Sequence, residues 1–464
     1  MLPLFHSVAL ERQRCKGCTN CIKGCPTEAI RVRAGKAVIL AEKCIDCGEC
    51  IRTCPNHAKV AVADEMSCLK KFTKTIALPA PSLFGQFRGN SVSVEQICQA
   101  IKLAGFDEVF LVAEAADQIS VATWLYAEEH RLRPLISSSC PAIVQLIQVR
   151  FSELIPNLIK LESPVEVAAK LAKEEVCRLY DLPPEEVGAV FLSPCAAKVT
   201  ELKGPEGQPG AYVDAVIPIN VVYPHLVRNL GQVIDPDLRI TASFAGFSWA
   251  RQGGEEEFMQ DFVHVSVSGI HQALDVLADV EMGKFAGVDF LEVQACPGGC
   301  VGGPLTVVNA TLAKTQLEGV LSRSRIRERP QEEDLHRIQR RYRKGLYHLT
   351  REIQPRPAMQ LDEDLTQAAR KMTVMERVGA SLPGLDCGSC GSPSCAALAE
   401  DIAQGLATES DCIFKLKEGI QELAEELLVL IKQVPSSMPP ETAAAMEGGV
   451  INHKTGDGSE GPCN

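Results

Sequence analysis

The sequence has no apolar run near the roughly 18 residues that a membrane-spanning helix needs. It also has no excess of positive charge, and its formal net charge of -12 argues against a nucleic-acid-binding protein. The first residues, MLPLFHSVALERQRC, contain no basic leader, long apolar core or small-residue cleavage site. We therefore expect a cytoplasmic protein that binds neither a membrane nor nucleic acid.

Two other signatures of binding sites are missing. The nine histidines show no paired metal spacing, and the glycine-rich segment 298–303 lacks the lysine and hydroxyl of a phosphate-binding loop. Cysteine, in contrast, is abundant: the chain has 20, and sixteen fall into three groups. Clustered thiols kept for metal need a reducing compartment, where structural disulfides rarely persist.

The first cysteine group is an internal repeat of 29 residues, in which two runs of the form CxxCxxCxxxCP end at Pro26 and Pro55. Three closely spaced cysteines can wrap a cubane cluster, and in the doubled form the fourth cysteine of each run ligates the other cluster. We therefore predict two 4Fe-4S clusters, one bound by Cys15, Cys18, Cys21 and Cys54 and one by Cys44, Cys47, Cys50 and Cys25. Zinc and disulfides are the alternatives, but zinc sites rarely show this duplicated spacing. Residues 10–65 resemble two-cluster ferredoxins.

From about residue 71 strand-like apolar runs alternate with helical segments, which predicts an α/β core with largely parallel sheets. The strand-like segments are TKTIALPAP, EVFLVAE, RPLISSSCP, GAVFLSPCAAK and DFLEVQACPGGC, and the helical ones include VEQICQAIKLAG, VEVAAKLAKEEVCRLY and GIHQALDVLADVEM. Three strand ends lead into cysteine loops that carry Cys140, Cys195, Cys296 and Cys300, and open α/β sheets bind ligands at such ends. Four thiolates suffice for one cubane, although a single buried cysteine is usually a small core residue.

The third group, Cys387, Cys390, Cys395 and Cys412, predicts one further 4Fe-4S cluster, with a zinc knot as the alternative. Its spacing resembles the 4Fe-4S module of the Rnf complex and of corrinoid iron-sulfur proteins. An amphipathic helix is predicted over 415–433. It either caps this module or contacts a partner protein. The tail is rich in Pro, Gly, Ser and acidic residues, so we expect disorder there.

The order of the central loops resembles the motifs TSCCP, PCTAKK and ExMxCxxGCxxGG of FeFe hydrogenases, over residues 71 to about 350. The resemblance implies an H-cluster: a cubane held by the four central cysteines, with Cys300 bridging to a diiron subcluster that carries CO, CN and azadithiolate. It implies that Lys198 donates to a cyanide ligand, which suits a point-charge donor. It also implies that Ala80, Pro81 and Pro194 line the pocket. A surface lysine and a plain turn at Ala80 are the alternatives.

The chain departs from these motifs at positions that affect the expected rate of H2 turnover. Ser139 replaces a free cysteine that relays protons, and a hydroxyl is a poorer acid and base than a thiol. Gln294 replaces a methionine beside the diiron site, exchanging a thioether for an amide. Glu292 and the run 255–257 are candidates for another proton route, although we expect the run to be solvated surface carboxylates.

These residues predict an α/β FeFe hydrogenase-like catalytic core with an N-terminal α+β two-cluster ferredoxin domain and a small C-terminal helical 4Fe-4S module. The predicted boundaries are 1–70, 71–355 and 356–433, with a disordered tail over 434–464. Serine in place of the relay cysteine, together with the C-terminal module, resembles the sensory type of FeFe hydrogenase. The predicted activity is slow, reversible 2H+ + 2e- = H2, with three accessory 4Fe-4S clusters and an H2-sensing or regulatory role.

The predicted partners are H2, protons, a ferredoxin-like electron carrier or signalling protein, and maturases for the diiron centre, and homodimerisation is left open. A competing hypothesis is an electron-transfer or Fe-S assembly protein that keeps the cubane without a diiron subcluster.

Overall fold

A computed structural model describes residues 5–432 apart from residue 90, segments 204–211 and 232–239, and residues 351, 357 and 359. The chain divides into two compact units. The first comprises Met1–Glu363 with Gly391–Pro393, and the second comprises Asp364–Cys390 with Ser394–Asn464. The predicted disordered tail lies outside the described residues. Within the described ranges, every helix is too short or too polar to span a lipid bilayer.

The N-terminal part of the first unit has two small antiparallel sheets, in which β1 pairs with β4 and β2 with β3. Its elements are β1 (Val8–Leu10), α1 (Asn20–Lys23), β2 (Ile30–Arg33), β3 (Lys36–Ile39), α2 (Glu49–Arg52) and β4 (Lys59–Ala61). The sequence repeat is also a backbone repeat. Thr19 and Gly48, 29 residues apart, have φ of 64° and 73°, and Glu28 and His57, also 29 apart, have φ of 51° and 47°.

The rest of the first unit is built on two parallel sheets, with strand orders β6-β5-β8-β9 and β10-β11-β7. The strands are β5 (Lys74–Pro79), β6 (Glu108–Val109), β7 (Leu135–Ile136), β8 (Val187–Ser193), β9 (Ala215–Pro218), β10 (His264–Ser268) and β11 (Phe290–Gln294). The predicted α/β core with parallel sheets is confirmed.

Helices cover both faces of the first sheet, which explains its continuous apolar strands. Ile76 and Phe191 pack into one hydrophobic cluster, and Ala77 and Val190, on the opposite face, pack into another. The helices are α3 (Pro81–Phe84), α4 (Val94–Leu103), α5 (Val112–Glu129), α6 (Pro141–Arg150), α7 (Pro164–Tyr180), α8 (Ala196–Lys203), α9 (Ile219–Asn229), α10 (Phe244–Ser248), α11 (Ile270–Glu281), α12 (Ala310–Ser322) and α13 (Glu332–Arg343). α4 begins at a capping box, because Ser93 and Gln96 each accept the other's backbone N–H.

One predicted strand is mostly wrong. In EVFLVAE only Glu108–Val109 is a strand, and α5 begins at Val112. A short apolar run fits a buried strand or a buried helix equally well, and α5 is buried along most of its length.

The second unit contains α14 (Leu365–Ser381), α15 (Cys395–Ala403) and α16 (Ile413–Lys432). A small core joins Val378 of α14 and Leu382, which follows that helix, to Leu398 and Ala399 of α15. The apolar residues of α16, among them Ile420, are largely exposed.

Candidate metal centres

Two cavities in the N-terminal part are each lined by four cysteines of the first group. One is lined by Cys15, Cys18, Cys21 and Cys54. The other is lined by Cys25, Cys44, Cys47 and Cys50. Each cavity therefore receives three cysteines from one repeat and the last cysteine of the other, which is the distribution that crossed cluster ligation requires.

Backbone N–H groups point at sulfur in the same way in both repeats. Ala29 donates to Cys25 Sγ at 3.2 Å, and Ala58 donates to Cys54 Sγ at 3.3 Å. Burial raises the pKa of the Cys50 thiol to about 12. Such thiols ionise readily only when a cation is bound, whereas N–H donors favour the thiolate form. The donors and the burial together fit a metal cluster.

Among the described residues, His6, Cys44 and Asp46 have potential ligand atoms within 4.8 Å of one another. His6 Nδ1 lies 2.7 Å from one Asp46 carboxylate oxygen, and the Val8 N–H donates to the other at 3.0 Å. Both oxygens are thus engaged by the chain, so we interpret this group as an anchor for the Cys44 loop.

The four central cysteines lie at the carboxyl ends of strands from both parallel sheets. Cys140 follows β7 and precedes α6, Cys195 lies between β8 and α8, and Cys296 and Cys300 follow β11. Burial is the largest influence raising the pKa of the Cys300 thiol, followed by the charges of Cys296, Cys140 and Cys195. The four sulfurs are therefore close enough to repel one another as thiolates, and a bound cationic cluster would remove that repulsion.

Two glycines mark where the chain closes tightly around these cysteines. A Cβ atom on Gly299, whose φ is 98°, would lie 2.6 Å from Gln294 Oε1. A Cβ on Gly303 would lie 2.3 Å from the Pro194 carbonyl oxygen. Gln294 is 3% exposed, and its Oε1 is buried without a hydrogen-bond partner within the described part of the chain. A buried acceptor without a partner is costly, so this amide fits a pocket for a further polar group.

Lys198 is 9% exposed, which rules out the alternative of a surface lysine. It lies in the first turn of α8, three residues after Cys195, and its ammonium donates to Glu201 at 2.5 Å. Its charge lowers the pKa of the Cys140 and Cys195 thiols, against the larger opposing effect of burial. Lys198 therefore lies within electrostatic reach of the central cysteines.

Ala80 and Pro81 follow β5 directly, and Pro194 follows the neighbouring strand β8. The Ala80 N–H donates to the Leu192 carbonyl oxygen at 3.3 Å, which ties the two strand ends together. Ala80 is 4% exposed, and Pro81 is the first residue of α3. The structure thus brings all three residues to the same edge of the sheet as Cys195.

The expectation that the run 255–257 is solvated is wrong for Glu255, which is 4% exposed. Its carboxylate accepts hydrogen bonds from the Ser137 and Ser139 hydroxyls, each at 2.5 Å. Burial raises the pKa of Glu255, although both hydroxyl donors oppose the shift. No local pattern predicts the burial of Glu255, because it depends on how the loop folds over a distant strand.

That strand carries Glu292, which is fully buried. Its carboxylate accepts the backbone N–H groups of Gly253 and Glu255 at 3.0 Å and of Glu256 at 3.3 Å. Burial, followed by the charge of Glu255, raises its pKa well above the ordinary value. Glu292 therefore holds the loop that presents Glu255 to Ser139, and the two carboxyl groups influence each other's ionisation.

The ferredoxin-like part contacts the central site directly. The Arg52 guanidinium donates to the Gly302 carbonyl oxygen at 3.1 Å, and its charge lowers the pKa of the Cys296 thiol against the larger opposing effect of burial. Cys47, from the second N-terminal cavity, packs on the same hydrophobic cluster as Cys140 and Cys195. Of the two N-terminal cavities, this one therefore adjoins the central cysteines.

In the second unit, Cys412 is buried in the small core, and Cys390 and Cys395 pack against it. Cys395 begins α15, and its N–H donates to Asp386 at 2.6 Å. Cys387 is exposed in the preceding loop. The structure thus gathers three of the four predicted ligands around one core.

Comparison with known families gives three matches along the chain. The family "Iron only hydrogenase large subunit, C-terminal domain" matches residues 73–222 and 247–304. A "4Fe-4S dicluster domain" matches residues 7–55, and a "Putative Fe-S cluster" family matches residues 382–414. All three cysteine groups fall within these matches.

Individual relatives agree. The periplasmic [Fe] hydrogenase large subunit of Nitratidesulfovibrio vulgaris is 27% identical over 369 residues, which are 64% of this chain and 86% of the relative. Iron hydrogenase 1 of Clostridium pasteurianum is 25% identical over 377 residues, 64% of each chain. A solved FeFe hydrogenase variant from Chlamydomonas reinhardtii has a TM-score of 0.44 at 16% identity, covering 61% of this chain and 94% of that one. The family matches and the two hydrogenase relatives indicate an FeFe-hydrogenase-like protein with an N-terminal two-cluster ferredoxin-like domain.

Proposed function

We propose that this protein catalyses the slow, reversible reaction 2H+ + 2e- = H2 and serves in H2 sensing or regulation. The observation that carries the proposal is the central site. There, four cysteines at the strand ends of two parallel sheets, Cys296 buried and the other three partly buried, lie near Lys198 and the hydrogen-bonded pair Ser139–Glu255. This reaction requires a protein to provide metal ligands, a fixed positive charge and a pair of groups that transfer protons.

The site would hold an H-cluster through Cys140, Cys195, Cys296 and Cys300, with Cys300 as the bridge to the diiron subcluster. When bound, that group supplies the chemistry that makes and breaks the H–H bond. Lys198 would leave Glu201 to donate to an anionic ligand of the group. Gln294 Oε1, which has no partner among the described residues, would accept a hydrogen bond from the bound group. Ala80, Pro81 and Pro194 would exclude water from the pocket.

Three accessory 4Fe-4S clusters would carry electrons. Two would occupy the N-terminal cavities, and the third would be bound by Cys387, Cys390, Cys395 and Cys412. The second N-terminal cavity adjoins the central cysteines through Cys47 and Arg52, so it would be the last step before the H-cluster.

Protons would reach the site through Glu255 and Ser139. A carboxyl group whose pKa burial raises above its ordinary value holds a proton more readily and can pass it on, and Ser139 can pass a proton only while hydrogen-bonded to it. Glu292 would tune this route through its coupling to Glu255. A relay that depends on a hydroxyl is consistent with slow turnover.

A ferredoxin-like carrier or signalling protein as electron partner, maturases for the diiron centre, and homodimerisation remain predictions. So does a cytoplasmic location, because the Nitratidesulfovibrio vulgaris relative is periplasmic by name. The alternative function is an electron-transfer or Fe-S assembly protein without a diiron subcluster. The buried Lys198 and the Ser139–Glu255 pair favour the hydrogenase, since a cubane alone needs neither.

Replacing Ser139 with cysteine tests this function. In full-length protein matured with a synthetic diiron cofactor, we expect measurable H2 evolution from wild type and a roughly tenfold higher rate from Ser139→Cys, because a thiol is a better acid-base relay. Ser138→Cys is the matched control, since it adds a thiol one residue away from the Glu255 contact. Equal rates in Ser139→Cys and wild type would show that proton transfer at this position does not limit turnover.

A further inference from the structure

Lys59 is a buried lysine outside the central site. It lies at the start of β4 and is 2% exposed, and its Nζ has no hydrogen-bond partner among the described residues. Burying an ammonium group without a partner is expensive, so such a group is kept only where a negative charge compensates it.

The internal repeat shows how unusual this lysine is. The position equivalent to Lys59 in the first repeat, 29 residues earlier, is Ile30, which is 3% exposed. Ile30 lines the cavity of Cys25, Cys44, Cys47 and Cys50, and Lys59 lines the cavity of Cys15, Cys18, Cys21 and Cys54. At this position of the repeat, the first cavity is therefore lined by a buried ammonium group and the second by an aliphatic side chain.

The charge of Lys59 acts on thiols of both cavities. It lowers the pKa of the Cys21 thiol, second only to burial, which raises it. It acts in the same direction on Cys15, which lines the same cavity. On Cys50, which lines the other cavity, Lys59 is again the largest influence after burial. Lys59 is thus placed against the first cavity and within electrostatic reach of the second.

We propose that the Lys59 ammonium is compensated by the cluster in the first cavity and raises its reduction potential above that of the second. The proposal rests on the two N-terminal clusters of the proposed function. Reduction adds one electron, and so one negative charge, to a cluster that four thiolates already make anionic. A fixed positive charge beside it stabilises the reduced form, because net charge is one of the factors that set these potentials.

The consequence is a direction for electron flow. The second cavity adjoins the central cysteines, so the first is the outer of the two. A higher potential at the outer cluster draws electrons away from the central site. Lys59 therefore favours H2 oxidation over H2 evolution, which is the direction an H2 sensor uses.

The test is an EPR-monitored redox titration of the full-length protein, loaded with 4Fe-4S clusters but without the diiron subcluster. Lys59→Met keeps the length of the side chain and removes the charge. We expect the equilibrium constant for reduction of the first cluster to fall at least tenfold, which is about 59 mV more negative for a one-electron couple. Ile30→Met is the matched control, and it should leave both potentials within a fraction of that shift.

Lys59→Ile, which gives the second repeat the residue of the first, should produce the same shift and replaces Lys59→Met if that variant loses iron. The signal of the C-terminal cluster serves as an internal reference. Unshifted N-terminal potentials in a variant that retains its iron would overturn the role of Lys59 and leave the clusters in place. Wild-type protein that binds no iron at its eight N-terminal cysteines would instead contradict the proposed function.

Discussion

Glu255→Gln should lower both H2 evolution and H2 oxidation by about 10²- to 10⁴-fold, the range typical of a lost acid-base group. Glutamine has the same shape and can still hydrogen-bond Ser137 and Ser139, but it cannot release and recover a proton. Glu255 is buried behind Ser139, so solvent cannot easily replace it. The loss should therefore appear in turnover, with the clusters intact.

The measurement is the rate with chemical mediators in both directions, together with iron content and infrared spectra of each sample. Glu256→Gln is the matched control: it removes the neighbouring carboxylate, which lies partly exposed beside Ser266. That variant should keep most of the wild-type rate. A Glu255→Gln protein with full cofactor and an undiminished rate would mean that protons reach the site by a path that avoids Ser139.

Cys300→Ala should abolish H2 turnover, because this cysteine is the proposed bridge between the cubane and the diiron subcluster. The other three central cysteines remain, as do all twelve predicted ligands of the accessory clusters. We therefore expect no carbonyl or cyanide infrared bands from the matured variant, while the EPR signals of the accessory clusters persist.

Cys98→Ala is the control for the loss of a buried thiol. Cys98 is 1% exposed in α4 and belongs to a cluster of buried apolar side chains. Its replacement should cost on the order of 1 kcal/mol of folding stability and leave H2 turnover unchanged. Turnover in Cys300→Ala comparable to that of Cys98→Ala would contradict the proposed bridge.

The sequence predicted most accurately what depends on local spacing. The crossed sharing of cysteines between the N-terminal cavities follows from a 29-residue repeat, and the backbone repeats with it, as the left-handed residues Glu28 and His57 show. The strands before Cys195 and Cys296 were predictable because buried parallel strands read as apolar runs. The strand β10 was missed because HVSVS, although it alternates as a half-buried strand does, is only five residues long.

What the sequence did not reveal depends on contacts between distant segments. Glu255 is one of three consecutive glutamates, so residue type does not distinguish it from Glu256 and Glu257. It is buried because backbone N–H groups of its loop, including its own, donate to Glu292. Lys59 could have been identified by aligning the two repeats, because it aligns with Ile30. Its burial, however, becomes evident only once β4 packs over the cavity.

The central claim is that the four central cysteines carry a diiron carbonyl-cyanide centre as well as a cubane. Its most direct test is the infrared spectrum of full-length protein that has been loaded with 4Fe-4S clusters and then matured with the synthetic diiron cofactor. We predict carbonyl and cyanide bands that shift when the sample is exposed to H2. Protein with a complete set of cubanes but without these bands would contradict the claim and favour the electron-transfer or Fe-S assembly alternative.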